Sequence, residues 1–136
     1  MEGTRNIEII KPERGKDMYK LNESEKEYRF GDSGPKYLMR GPRANFGVVV
    51  LQPGQDFANH SHSIMEENFF ILEGEIEFVV DDEVVICKEG DFIHVEPEEA
   101  HYLRNMGDIP AKAIFCLAPY QEQDKNDLPL PEAIEK

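Results

Sequence analysis

The chain has 136 residues, of which 40% are hydrophobic and 32% charged, with two cysteines, no tryptophan and a formal net charge of −13. That length predicts a single domain with a core of its own, which needs neither disulfides nor a structural metal to fold. The acidic excess excludes a phosphate-binding surface, so nucleic acid is not an expected partner. No apolar run is long enough to span a bilayer, so no membrane is expected either.

Residues 1–35 are polar and mixed, and end in a cluster of turn formers, Phe30, Gly31, Asp32, Ser33, Gly34 and Pro35. They read as an extended arm rather than a second domain. The start, Met1 to Arg5, lacks a basic region followed by an apolar stretch, which predicts a cytoplasmic, soluble protein.

Short apolar runs then recur over residues 36–40, 45–51, 67–72, 75–80, 84–87, 92–95, 100–104 and 111–117. Such close, even spacing predicts an antiparallel sandwich or barrel in the all-β class. Turn-forming residues separate the runs at Gln52-Pro53-Gly54, Glu89-Gly90-Asp91 and Met106-Gly107-Asp108. Asp81 and Asp82 predict a tight hairpin although the Asn-Gly signature is absent. Cys87 and Cys116 lie inside apolar runs and read as small buried hydrophobes in a reducing compartment. Beyond Ala118 the composition turns polar and Pro-rich, so residues 119–136 are either a loose tail or an arm packed on the barrel or on a neighbouring subunit.

The most informative cluster is His60-Ser61-His62, with Glu66 and Glu67 shortly after and His101 further on. Two histidines at i and i+2 of an extended segment face the same side, so their imidazoles can converge on one ion. Only one of the two adjacent glutamates can point inward with them. His101 opens the run 100–104 in a register that also allows it to face inward.

These residues carry a resemblance to a known family. The pattern G-x5-H-x-H-x(3,4)-E-x6-G, the first motif of the cupins, is matched by Gly54, His60, His62, Glu67 and Gly74. Its trailing spacing selects Glu67 over Glu66. The second motif, G-x5-P-x-G-x2-H-x3-N, is matched at Gly90, His101 and Asn105, but Glu96 stands where the family has proline and Glu98 where it has glycine. The resemblance spans residues 36–118. It implies a double-stranded β-helix barrel between N- and C-terminal arms, and one divalent transition metal held by His60, His62, Glu67 and His101. Three imidazoles and a carboxylate suit Fe(II), Mn(II), Ni(II), Co(II) or Zn(II) without choosing among them.

Around that set, Phe69 and Ile71 share the register of Glu67 and are expected to line the cavity, with Phe70 and Leu72 facing away. Met65 is expected at the pocket edge and Asn105 near it. Arg40 flanks the first strand, where the ordinary role is a solvated strand end but an inward guanidinium would grip a substrate carboxylate with two hydrogen bonds. His94 falls outside both motifs. Glu96, Glu98 and Glu99 are expected to form an acidic rim that disfavours anions.

The function expected is that of a metal-dependent enzyme, an isomerase, lyase or oxygenase, acting on a small sugar-derived or hydroxy/oxo compound. No residue beyond the ligands has an equal claim to a catalytic role; Glu66, His94 and Tyr102 are the candidates for proton transfer. A metal-assisted binding module and a cyclase of secondary metabolism are the rivals. A long aromatic cavity would favour the cyclase, and a tight polar pocket the first reading. The family resemblance also implies a homodimer formed through an exposed sheet.

Overall fold

A computed structural model of the chain describes residues 17–134. Ten strands run in chain order: β1 (Gly34–Arg40), β2 (Asn45–Leu51), β3 (Asp56–Ser61), β4 (Glu66–Glu73), β5 (Glu75–Val80), β6 (Glu83–Lys88), β7 (Phe92–Val95), β8 (His101–Arg104), β9 (Ala111–Ala118) and β10 (Asn126–Asp127). They form two antiparallel five-stranded sheets, ordered β1-β2-β9-β4-β7 and β10-β3-β8-β5-β6. Successive strands cross repeatedly between the sheets, which closes a double-stranded β-helix barrel and brings β3, β4 and β8 around one interior.

Period-2 alternation produces that interior. On β9, Ala111, Ala113, Phe115 and Leu117 are buried and the residues between them are partly exposed. On β4, Glu67, Phe69 and Ile71 point inward while Phe70 is exposed. The inward rows of both sheets meet in a core built on Leu51, Ile76, Phe78 and Phe115. At Gly47 the packing tolerates no side chain, because an added Cβ would lie 2.3 Å from the Lys36 carbonyl oxygen.

Three features go beyond the elements expected from sequence. The strand that carries the first histidine, β3, lacks a continuous apolar run and was not among the eight. Its pairing with β8 contains a bulge: Phe57 faces Leu103 and His60 faces His101, three steps on one strand against two on the other. The extra residue re-aims the chain so that both Phe57 and His60 turn inward.

The C-terminal segment is not loose. Asn126 and Asp127 pair with Ser61 and His60 along the free edge of β3, and the side chain of Asn59 donates to the Pro129 carbonyl at 2.9 Å. The N-terminal segment, described from Asp17, folds back with a capped 3₁₀ turn at Glu23–Glu25. There Glu23 pairs with Lys36 and Lys112 across the outer face of the first sheet.

The β5–β6 connection is the expected tight hairpin. Val80 pairs with Glu83, and Asp81 and Asp82 both adopt positive φ, 47° and 69°, as a type I′ turn requires.

Candidate metal centre

Each side chain of the candidate cluster is delivered by a different feature of the barrel. The bulge turns His60 inward, β4 presents Glu67, and β8 places His101 directly opposite His60. His62 lies one residue past the end of β3, so the two histidines do not share an uninterrupted strand as the i, i+2 spacing suggested. It is aimed inward by the C-terminal arm, whose Asp124 backbone carbonyl accepts a hydrogen bond from His62 Nδ1. One ligand atom from each of His60, His62, Glu67 and His101 can be chosen so that all lie within 4.8 Å of one another. His62, Glu67 and His101 are buried and His60 is partly so.

The tautomers decide what this cluster can take. The Nδ1 atoms of His60, His62 and His101 each face a backbone carbonyl, those of Ala58 at 2.9 Å, Asp124, and Glu99 at 3.1 Å. A carbonyl oxygen only accepts, so each Nδ1 carries hydrogen and each neutral ring keeps its lone pair on Nε2. His62 Nε2 is buried without a hydrogen-bond partner, and the Nε2 atoms of His101 and His62 lie 3.0 and 3.3 Å from Glu67 Oε1. Lone pairs that close to a carboxylate repel unless a positive charge lies between them. The donor set therefore fits a divalent metal, with the backbone carbonyls orienting the rings from behind.

Protonation follows the same logic. Burial and the neighbouring His101 push His60 down to about 4. Burial also opposes charge on His62, but the Glu67 carboxylate and the Asp124 carbonyl outweigh it and raise His62. Burial works to raise Glu67, yet in the metal-free cluster the His101 and His62 rings beside it, once protonated on Nε2, hold it at about 2. The carboxylate is thus ionised across the physiological range, as a ligand must be.

The cluster opens into a cavity of about 520 Å³ whose other walls are mostly apolar and aromatic, with Tyr37, Val49, Phe57, Phe69 and Phe115 among them. Of the residues expected around the metal, Phe69, Met65 and Arg40 line this cavity. Ile71 does not; it shares the inward register but sits deeper, fully buried in the core. Nor does Asn105, whose amide donates to the Leu51 and Ile109 carbonyls at 2.9 Å while its oxygen accepts from Gly107 N–H. Its role is to fasten the turn after β8.

The three proton-transfer candidates also turn away. Glu66 and His94 lie on the outer sheet face around Asn68, and the Tyr102 hydroxyl donates to Asp56, with the phenol pushed up to about 12 by burial and that carboxylate. Glu96, Glu98 and Glu99 do not line the cavity, so the expected acidic rim is absent from it. Glu98 occupies the position where the resemblance calls for glycine and adopts φ 74°, with its N–H donating to the His62 carbonyl at 2.6 Å. The left-handed turn is kept although the glycine is not.

The family model of the cupin domain matches residues 47–117, a little over half of the chain. The protein belongs to the cupin family. This cupin is 30% identical over 88 residues, 64% of its chain and 70% of the other, to the uncharacterized protein MJ1618 of Methanocaldococcus jannaschii. It is 29% identical to the polyketide synthase CurC of Streptomyces cyaneus over 54% of its own chain, and spans only 47% of that protein's length. Among solved structures, a double-stranded β-helix protein from Klebsiella pneumoniae has the same fold, with a TM-score of 0.66 at 21% identity over 72% of this chain and 80% of that one.

Sequence reasoning missed Asp124 altogether. It lies beyond the family match, and a lone Asp in a polar segment gives no signal. Its carboxylate accepts the backbone N–H groups of Ser63 at 2.8 Å and of Ile64 and Met65 at 2.9 Å, which shapes the loop between His62 and Glu67.

Proposed function

We propose that this cupin is a metal-dependent enzyme acting on an enolisable hydroxy or oxo compound with an apolar body. The observation that carries the reading is the convergence of three Nε2 lone pairs and one carboxylate oxygen inside an apolar cavity. A divalent ion held there would act as a Lewis acid toward oxygens of the substrate and favour developing negative charge on them. Phe69, Phe115 and Val49 pack the carbon skeleton and exclude water, which strengthens every polar contact within the cavity. Tyr37 contributes a phenol on the cavity wall, held above its ordinary range by burial and by the Glu67 charge, so it stays protonated and able to donate.

A second reading is a cyclase of secondary metabolism, in which the barrel shapes a reactive chain. The aromatic walls meet the criterion that favours it, and the similarity to CurC supports it, but the buried, unpartnered His62 Nε2 beside Glu67 favours the metal enzyme as the first reading.

Metal analysis of protein purified without chelator, followed by reconstitution with each of Fe(II), Mn(II), Ni(II), Co(II) and Zn(II), tests the first reading. We expect about one ion per chain. Failure of every ion to reach that occupancy would overturn the metal enzyme. Oxygen uptake with a panel of hydroxy and oxo compounds then selects an oxygenase, and turnover without uptake an isomerase or lyase.

The same proposal includes a homodimer. Ile114, Phe70 and Phe92 align across the outer face of the first sheet, and Phe70 and Phe92 are 41% and 63% exposed. A continuous apolar row on a sheet face is the self-complementary surface that a two-fold pair uses. Phe70→Glu is expected to convert a dimer to a monomer in sedimentation; a wild-type monomer at micromolar concentration would exclude the pairing.

A further inference from the structure

Three carboxylates line the cavity, and each is already engaged by the protein. Glu67 faces His62 and His101, Asp124 accepts three backbone N–H groups, and Asp56 accepts the Tyr102 hydroxyl. Two guanidiniums line it as well, those of Arg29 and Arg40, and among the described residues neither pairs with a carboxylate. In a chain of net charge −13, two cations left without acidic partners at one cavity run against the composition.

Arg40 is held in place by its face. Its Cζ lies 3.9 Å from the centroid of the Tyr37 ring, which packs edge-on against Phe115 with centroids 5.2 Å apart. That stacking leaves the in-plane N–H groups for another partner. Arg40 Nε is buried without one among the described residues, and so is Oδ1 of Asn45, the residue directly across the β1–β2 ladder. Each carries an uncompensated desolvation cost, which a ligand making the missing hydrogen bond would remove.

We propose that Arg40, with Asn45 beside it and Arg29 from the N-terminal arm, forms a carboxylate-recognition subsite, so that the substrate is an organic acid. The carboxylate takes the Arg40 fork in the plane of the guanidinium, and an adjacent hydroxyl donates to Asn45 Oδ1. The oxygens at the other end of the molecule face the His/Glu cluster. That last clause rests on the metal-enzyme reading; the carboxylate subsite does not.

The test is calorimetric titration of three acid and amide pairs, glycolate and glycolamide, benzoate and benzamide, salicylate and salicylamide, on metal-free and on zinc-loaded protein. In each state at least one acid is expected to bind tenfold or more tightly than its amide, which has the same shape without the charge. Arg40→Gln is expected to reduce that preference below about twofold. Arg43→Gln, at an exposed position, is expected to leave it intact. Asn45→Asp, which sets a negative charge against Arg40, is expected to abolish it and serves as the second variant where Arg40→Gln fails to fold.

Equal affinity for acids and amides in the wild type, or a preference that survives Arg40→Gln or Asn45→Asp, would overturn the subsite. Failure of the metal-enzyme reading looks different, because zinc then does not bind while the acid preference persists in metal-free protein.

Discussion

The backbone carbonyl of Asp124 accepts the Nδ1 hydrogen of His62, while its carboxylate accepts the amide hydrogens of Ser63, Ile64 and Met65. One residue of the C-terminal arm thus sets both the tautomer of His62 and the path of the loop that follows it.

Asp124→Ala leaves three backbone N–H groups without their acceptor and frees the carbonyl behind His62. We expect the zinc affinity, measured by competition with a chelator, to fall about tenfold or more. The metal-free protein should lose about 2 kcal/mol in urea denaturation. Unchanged affinity in the variant would show that the arm does not position His62.

The stability of chelator-treated protein should pass through a maximum close to pH 6.5. His62 has a raised pKa, so its contribution is fully present below its unfolded value of 6.5 and is lost as pH rises through the folded one. His60, lowered to about 4, works in the other direction and costs stability as pH falls from 6.5 toward 4. Glu67, held at about 2, adds a further loss as pH falls below 4.5. Urea midpoints at pH 8, 6.5 and 4 check this; a midpoint that does not drop between pH 6.5 and 4 contradicts the burial of His60 as a neutral ring.

Glu98→Gly should stabilise the protein. Glu98 sits at φ 74°, where a side chain costs about 1 kcal/mol relative to glycine, and what holds it there is the turn itself. We expect the melting temperature to rise by about 4 °C, with metal affinity unaltered because the N–H bond to the His62 carbonyl remains. A fall in melting temperature would mean that the Glu98 side chain makes a compensating contact.

Much of this molecule could be read along the chain. The apolar runs between turn formers placed the strands, and the register of Glu67 placed Phe69 and Ile71 inward and Phe70 outward, because the side-chain period of a strand is local. The motif spacing picked out His60, His62, Glu67 and His101, which the barrel does bring together. Where reading failed, the deciding contact was distant. β3 was missed because its residues alternate poorly, and only the pairing of His60 with His101 exposes the bulge that turns it inward. Asn105 keeps its place in the motif, yet its side chain is spent on carbonyls of Leu51 and Ile109 rather than on the cavity.

By itself, then, the sequence determined the all-β barrel, through strand runs and motif spacing, the four residues that converge, through their resemblance to the cupin motifs, and a tight turn at Asp81 and Asp82, through residues a few positions apart. Tertiary structure alone decided which charges face the cavity. The glutamates before His101 lie outside it, Asp124 crosses from the far end of the chain to hold His62, and Arg40 turns its guanidinium inward over Tyr37. Net charge is a sum over the whole surface, whereas recognition depends on the few groups left unpaired inside, and only the fold determines which those are.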